Sequence, residues 1–249
     1  MSFDRFDLRN AAILLDVDGT ILDIAPSRHE VYVSDSLRRT LMRVSEGAGG
    51  SLALVSGRPL QDLDFLFAPL RLPAIGGHGA EIRHSLNGKG YERHALSLDR
   101  DIKQQLRQIA IRYPGIAIED KDYSLALHYR QADGHELEVL NDVFHLCKFQ
   151  QPARVELLTG KAVIEVKAPG FSKGTAVREL MRHSPFAGRA PIFIGDDTTD
   201  ETAFAVMPEF NGTAISVGRK LLGIDGIFQS PKDVRKWLER LSHNVAVRQ

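Results

Sequence analysis

Five aspartates, a serine and a lysine stand where they could do chemistry together. Asp16 and Asp18 lie in Asp16-Val17-Asp18-Gly19-Thr20, and Asp196, Asp197 and Asp200 in Gly195-Asp196-Asp197-Thr198-Thr199-Asp200. Ser56 opens Ser56-Gly57-Arg58-Pro59, and Lys173 sits in Ser172-Lys173-Gly174. A carboxylate can attack phosphorus and split one hard displacement into two easier ones, which suits Asp16. Asp18 can protonate the leaving oxygen and then take a proton from water. Gly19 permits the sharp turn that both carboxylates need. So many carboxylates in one place repel each other and call for a cation. Oxygen-only ligands point to Mg²⁺, with waters and a substrate phosphate completing its shell. The Ser56 hydroxyl and the Gly57 backbone can hold phosphoryl oxygens. Lys173, at a helix start, can neutralise phosphate charge and screen the repulsion around Asp16.

Each motif alone also fits an ordinary turn or helix cap. Their position argues for chemistry, because each stands beside an expected strand end or helix start. Ala11–Leu15 reads as a buried parallel strand closed by Asp16. Ser34 or Asp35 can cap a helix striped by Leu37, Leu41 and Val44, which Gly47, Gly49 and Gly50 end. Leu52–Val55 is the next buried strand and runs into Ser56. Strand, helix, strand at this spacing implies a right-handed parallel crossover. Ile192–Ile194 ends at Gly195-Asp196-Asp197, and Thr213–Val217 is a further strand. Helices are expected around Ala176, Val177, Leu180 and Met181, and around Val234, Trp237, Leu238 and Leu241 behind Pro231. Ligands bind at the carboxyl ends of strands in open parallel sheets, so neighbouring strands would gather the aspartates at one edge.

The middle of the chain reads differently. Ser124–Arg130 and Ala162–Lys167 alternate with period two, between helix stripes at Ile102, Leu106, Ile109 and Ala110 and at Leu137, Leu140, Val143, Phe144 and Cys147. This predicts an antiparallel sheet with two helices on one side. The fold class expected is α/β: a Rossmann-like doubly wound parallel-sheet core over residues 1–79 and 171–249, with an inserted α+β cap domain over 80–170. Gly76-Gly77 and Pro169-Gly170 are the expected hinges.

Composition excludes other classes. At 249 residues with 43% hydrophobic and 26% charged residues, the chain is a globular protein of one or two domains. Lys+Arg and Asp+Glu both number 32, so no global field recruits nucleic acid or an anionic membrane. The single cysteine, Cys147, excludes an intrachain disulfide and a cysteine zinc cluster, and its helix face predicts a buried core residue. No apolar run reaches the ~20 residues of a membrane span. The charged N-terminus lacks an apolar signal segment, and a cytoplasmic protein is expected.

The four motifs resemble those of the haloacid dehalogenase superfamily of phosphatases. The long insertion between Ser56 and Lys173 resembles the branch with a large α/β cap. Leu54-Val55-Ser56-Gly57-Arg58-Pro59, Gly77-His78-Gly79-Ala80-Glu81-Ile82-Arg83, Leu127-His128-Tyr129-Arg130, Gly160-Lys161-Ala162-Val163-Ile164-Glu165-Val166-Lys167 and Ile194-Gly195-Asp196-Asp197-Thr198-Thr199-Asp200-Glu201 resemble the trehalose-6-phosphate phosphatases. The resemblance implies Mg²⁺-dependent hydrolysis of a phosphorylated disaccharide through an aspartyl-phosphate, without the synthase activity fused to some relatives. It implies Asp16 as nucleophile and Asp18 as acid and base. It places Mg²⁺ on Asp16, the Asp18 carbonyl and Asp196, with Asp197 and Asp200 behind them or as alternate ligands. It assigns phosphate to Ser56, Gly57 and Lys173, and sugar to His78 and Glu81 from the core and to Lys121, Arg130, Lys161 and Glu165 from the cap. Polar residues on a sheet face can recognise hydroxyls, and equally suit a solvated face. His78, flanked by two glycines, lacks the apolar company of a core residue. A phosphatase of another sugar phosphate, or a non-catalytic sugar-phosphate sensor, uses the same scaffold. A small-molecule partner, no nucleic acid or membrane, and a monomer or weak homo-oligomer are expected.

Overall fold

A computed structural model describes residues 7–24, 31–86, 90–132, 134–151, 154–160 and 162–246. The chain divides into two compact units, Met1–His94 with Ser172–Gln249, and Ala95–Phe171.

The first unit holds strands β1 (Ala11–Leu15), β2 (Leu52–Val55), β3 (Ala74–Gly76), β4 (Glu81–Arg83) and β5 (Glu92–Arg93), with helices α1 (Asp35–Gly47) and α2 (Leu60–Phe67). The second unit follows with α3 (Arg100–Arg112), β6 (Ala117–Asp120), β7 (Ser124–His128), α4 (Glu136–His145), β8 (Glu156–Gly160) and β9 (Val163–Lys167). The chain then returns to the first unit with α5 (Lys173–Leu180), β10 (Ala190–Gly195), α6 (Glu201–Phe204), β11 (Thr213–Val217), β12 (Gly226–Phe228) and α7 (Pro231–Ala246).

In the first unit eight strands form one sheet in the order β12-β11-β10-β1-β2-β3-β4-β5. Pairing is parallel from β12 through β3 and antiparallel at β4 and β5. The central strands carry no charge because helices cover both faces. Ile13, Leu15, Leu52, Leu54 and Ile194 pack with Leu41, Val44, Phe67, Trp237 and Leu241 from α1, α2 and α7. Alternate strand residues Leu14, Ala53, Val55 and Phe193 pack with Val177, Leu180 and Phe204 from α5 and α6. This is the doubly wound arrangement expected. Ser34 caps α1 by accepting from Leu37 N at 3.2 Å.

The expected boundary at residue 80 is corrected to the step from His94 to Ala95. Strands β4 and β5 extend the core sheet, so the Gly76-Gly77 pair lies inside the first unit and is no hinge. The second crossing, between Phe171 and Ser172, lies beside the expected Pro169-Gly170. In the second unit a four-stranded antiparallel sheet runs β6-β7-β9-β8. Leu125, Leu127, Ile164 and Val166 pack on Ile102, Leu106, Val139 and Val143 of the two helices. Cys147 belongs to this core, and burial pushes its thiol up to about 11, which keeps it a protonated, inert side chain. The second strand starts at Val163, one residue later than expected, because Ala162 holds a left-handed φ of 59°.

His84, just after β4, stacks on His183 with ring centroids 4.2 Å apart, and its Nε2 stands 3.6 Å from Glu92 Oε2. Burial and then the neighbouring His183 lower its pKa from the ordinary histidine value, against the opposing pull of Glu92 and Glu179. The folded protein therefore holds His84 neutral more firmly than the unfolded chain does. Below pH ~6.5 the unfolded chain binds the extra proton, so stability falls as pH drops and levels off below the folded pKa. Replacing His84→Gln should make the loss of stability between pH 7.5 and pH 5 smaller than in the wild type. Denaturant midpoints at both pH values measure this, and equal losses in the two proteins would refute it.

Candidate active site

The parallel register brings the chemistry to one edge. Leu15 pairs with Ile194 on one side and with Leu54 on the other. Asp16, the Ser56 turn and Asp196 therefore follow three adjacent strands at nearly one level. Asp16 N donates to Ile194 O at 2.9 Å, and Ser56 N to Ile75 O at 2.9 Å, so both turns stay tied to the sheet.

Lys173 is the first residue of α5, and Ser172 and Thr175 hold its N-terminus by a reciprocal capping box. The Lys173 ammonium is buried between Asp16 Oδ1 at 2.7 Å and Asp200 Oδ1 at 2.6 Å. Burial alone would lower its pKa, but the Asp16 and Asp200 carboxylates more than offset this, so it remains a cation. Carboxylate oxygens of Asp16, Asp196 and Asp200 all lie within 4.8 Å of one another. Burial pushes the Asp16 carboxyl well up, Lys173 pulls it down, and Asp200 and Asp196 push it up again. Burial and then Asp200 push Asp196 up to about 6, against hydrogen bonding with Asp16 and Thr20. Thr20 Oγ1 donates to Asp196 Oδ1 at 3.2 Å. Gly19, at φ +83°, gives Asp196 its place, since a Cβ there would collide with that carboxylate. One ammonium thus faces three carboxylates. This oxygen-only, charge-deficient set fits a hard divalent cation.

Asp18 is not one of that set. Its two oxygens take a forked pair from Arg58, Nε to Oδ2 and Nη2 to Oδ1, both at 2.7 Å. The Arg58 side chain is 9% exposed and that of Asp18 38%. Ser56 is buried, and its Oγ accepts from Arg58 N at 3.1 Å, which leaves its O–H to donate. Asp197 caps the turn after it by accepting from Thr198 N at 2.7 Å, and stands apart from the metal-ligand candidates. Asp200 joins them more intimately than expected.

The sugar assignments fare unevenly. His78 lies beside the Ser56 turn, its N donating to Ser56 O at 3.0 Å. Glu81 is corrected: it is buried, and its carboxylate accepts from Leu60 N at 2.7 Å, capping α2. In the second unit, taken by itself, cross-strand register sets Glu119 and Glu165 on either side of Ala126. Lys121 Nζ bonds Glu165 at 3.0 and 3.1 Å, and Ser124 Oγ donates to Glu165 at 2.6 Å. His128 Nε2 lies 3.0 Å from Glu119 Oε2. Lys121 and Glu165 are thus brought together on the polar sheet face. Arg130, expected on that strand face, stands in an exposed turn beyond the end of β7. Lys161 lies outside the described residues.

Sequence reasoning left Arg58, Thr20 and Glu119 without roles, and placed His128 only on a polar strand face beside Arg130. Arg58 lies inside a quoted motif, but its partner is 40 residues away in sequence. Only the β1–β2 pairing brings them together. Glu119 had no such signal, because β6 is short and mostly exposed, with no clean alternation.

The trehalose-phosphatase family model matches residues 14–223. The trehalose-6-phosphate phosphatase of Escherichia coli K12 is 38% identical over 232 residues, covering 93% of this chain and 86% of that protein. The probable trehalose-phosphate phosphatase of Sinorhizobium fredii is 37% identical over 212 residues, covering 85% and 79%. In fold the chain is similar to the C-terminal domain of Candida albicans trehalose-6-phosphate phosphatase, with a TM-score of 0.81, 23% identity and 94% and 92% coverage. With Asp16, Lys173 and Asp196 gathered at one sheet edge, and with a family match over most of its length, the chain belongs to the trehalose-phosphatase family and is a phosphoric monoester hydrolase.

Proposed function

We propose that this chain hydrolyses trehalose 6-phosphate to trehalose and phosphate, by nucleophilic attack of Asp16 on phosphorus. The observation that carries the chemistry is the buried Lys173 ammonium bridging Asp16 and Asp200 beside Asp196 and the Ser56 turn. The substrate comes from the E. coli relative, which is named for it and matches 93% of this chain.

An Asp16 oxygen attacks phosphorus as the bond from phosphorus to the sugar oxygen breaks, forming an aspartyl-phosphate. Asp18 frees one oxygen from the Arg58 fork, takes up a proton from solvent on it and gives that proton to the leaving sugar oxygen, then takes one from the water that attacks the aspartyl-phosphate. Phosphate leaves and Asp16 is restored. Lys173 holds Asp16 in line and balances charge that builds on the phosphoryl oxygens. Ser56 and the Gly57 amide donate to those oxygens. Arg58 holds the Asp18 carboxylate by both oxygens, which fixes its direction. Asp16, Asp196 and the Asp18 carbonyl, with Asp200 beside them, are the residues that would hold Mg²⁺. When bound, it supplies positive charge to the carboxylates and the phosphoryl group. The polar sheet face of the second unit, with Lys121, Glu165, Glu119 and His128, carries groups suited to sugar hydroxyls, and we assign substrate specificity to that unit.

Phosphate release should be fast from trehalose 6-phosphate with millimolar Mg²⁺, slow from glucose 6-phosphate and sucrose 6-phosphate, and abolished by EDTA. A better substrate among the alternatives would overturn the assigned sugar. Asp16→Asn should lower kcat by at least about 10³-fold, as loss of a nucleophile does; a near-normal rate would remove Asp16 from that role. Arg58→Gln tests the leaving-group step. It should slow trehalose 6-phosphate, whose alkoxide needs a proton, by about tenfold or more, and 4-nitrophenyl phosphate, whose phenolate does not, by clearly less. Equal losses on both would mean that Arg58 does not act through Asp18.

A further inference from the structure

We infer that His78 is a positioning residue of the phosphate pocket, seating the Ser56–Gly57 turn and joining it to Lys173, and not a reader of the sugar. This rests on the phosphatase reading above and assigns His78 within that same site.

His78 occupies the middle of a three-residue turn, Gly77–Gly79, between β3 and β4. Its backbone is left-handed, at φ 57° and ψ 24°. Histidine tolerates that region better than most side chains, yet a non-glycine residue there is held by its surroundings. Here the surroundings are the phosphate-binding segments. His78 N donates to Ser56 O at 3.0 Å, and Gly77 N to Arg58 O at 2.9 Å. The two turns are therefore bonded backbone to backbone on both sides of Gly57.

The imidazole completes the contact. A Cβ at Gly57 would collide with His78 Cε1 and Nε2, and would stand 3.2 Å from Cδ2. The tip of the ring occupies the space where any other residue at position 57 would place its side chain. A side chain at position 57 would force the ring to shift, and the ring in turn limits where the Gly57 amide can go. At the other end of the turn, a Cβ at Gly79 would collide with the Ser172 carbonyl and stand 3.2 Å from Lys173 N. One short turn thus touches both segments whose side chains meet phosphate, Ser56 on one and Lys173 on the other.

The two roles differ in what they make the enzyme sensitive to. A sugar-reading side chain affects only substrates that carry the sugar. A side chain that seats the phosphate-binding amides affects every phosphomonoester and inorganic phosphate itself.

The experiment compares wild type with His78→Asn, which keeps a residue tolerant of the left-handed backbone and removes the ring. Each is assayed with trehalose 6-phosphate and 4-nitrophenyl phosphate, and each is titrated with inorganic phosphate by calorimetry in millimolar Mg²⁺. Unfolding midpoints establish that the variant folds. Misplacing a binding group by a fraction of an ångström costs on the order of tenfold. We expect kcat/KM to fall about tenfold on both substrates alike and phosphate affinity to fall by a similar factor. Gly57→Ala should lose activity through collision with the ring, and the double variant should lose less than the product of the single losses, because the ring tip has gone. A loss confined to trehalose 6-phosphate, with 4-nitrophenyl phosphate turnover and phosphate affinity unchanged, would overturn the inference and return His78 to the sugar. A wild type that releases phosphate from neither ester would instead sink the phosphatase reading, and phosphate affinity would still decide the role of His78.

Discussion

A single ammonium group sets the terms for the catalytic edge of this protein. Lys173 Nζ lies 2.7 Å from Asp16 and 2.6 Å from Asp200, with all three side chains nearly sealed from water. Desolvating such charges is costly, and removing one partner of a buried pair leaves the other uncompensated, at about 3–5 kcal/mol. The pairing therefore demands that β1, the turn after β10 and the first residue of α5 stay in register. The reciprocal cap of Ser172 and Thr175 fixes the start of α5, and the Leu15–Ile194 pairing fixes the level of β1 against β10. Even so the balance is incomplete, because three carboxylates share one fixed cation. The raised pKa of Asp16 and of Asp196 expresses that deficit, and it is the physical reason a divalent cation suits the site.

Around this centre the neighbouring residues divide the labour. Thr20 orients Asp196, Arg58 orients Asp18, and the Gly77–Gly79 turn ties the Ser56 turn to the segment before Lys173. None of these groups needs to touch a reacting atom to matter, because preorganised donors and charges cost no rearrangement during the reaction. The second unit follows a different plan. One face of its sheet is spent on the hydrophobic core with α3 and α4, which leaves the opposite face for Lys121, Glu165, Glu119 and His128. A small residue, Ala126, stands between the two glutamates.

Much of this was legible in the chain. Ala11–Leu15 and Leu52–Val55 were readable as strands because unbroken apolar runs mark sheets covered on both faces. The alternation of Ser124–His128 marked a sheet with one apolar and one polar face. The gathering of Asp16, Ser56 and Asp196 followed from the rule that parallel strands present their carboxyl ends together. Strands β4 and β5 were not readable. They are two or three residues long, and β5 is fully exposed, so no periodicity declares them. Their antiparallel addition to the sheet moved the domain boundary. Glu81 looked like a site residue from its motif, and the tertiary packing gave it to the N-terminus of α2 instead.

Sequence by itself determined the residue types, the spacing and the strand ends, hence the class of chemistry and the family. Those are local properties, carried by side-chain periodicity and by short motifs. Tertiary structure alone decided the partnerships: Lys173 with Asp200 as well as Asp16, Arg58 with Asp18, the His78 ring against Gly57, Lys121 with Glu165. Each joins residues far apart in the chain, and each forms only once strand register and helix packing have set distances to within a hydrogen bond. A charged side chain reaches several partners of opposite sign equally well in an extended chain. Burial removes the water that would make the choice indifferent, and so makes one partner the answer.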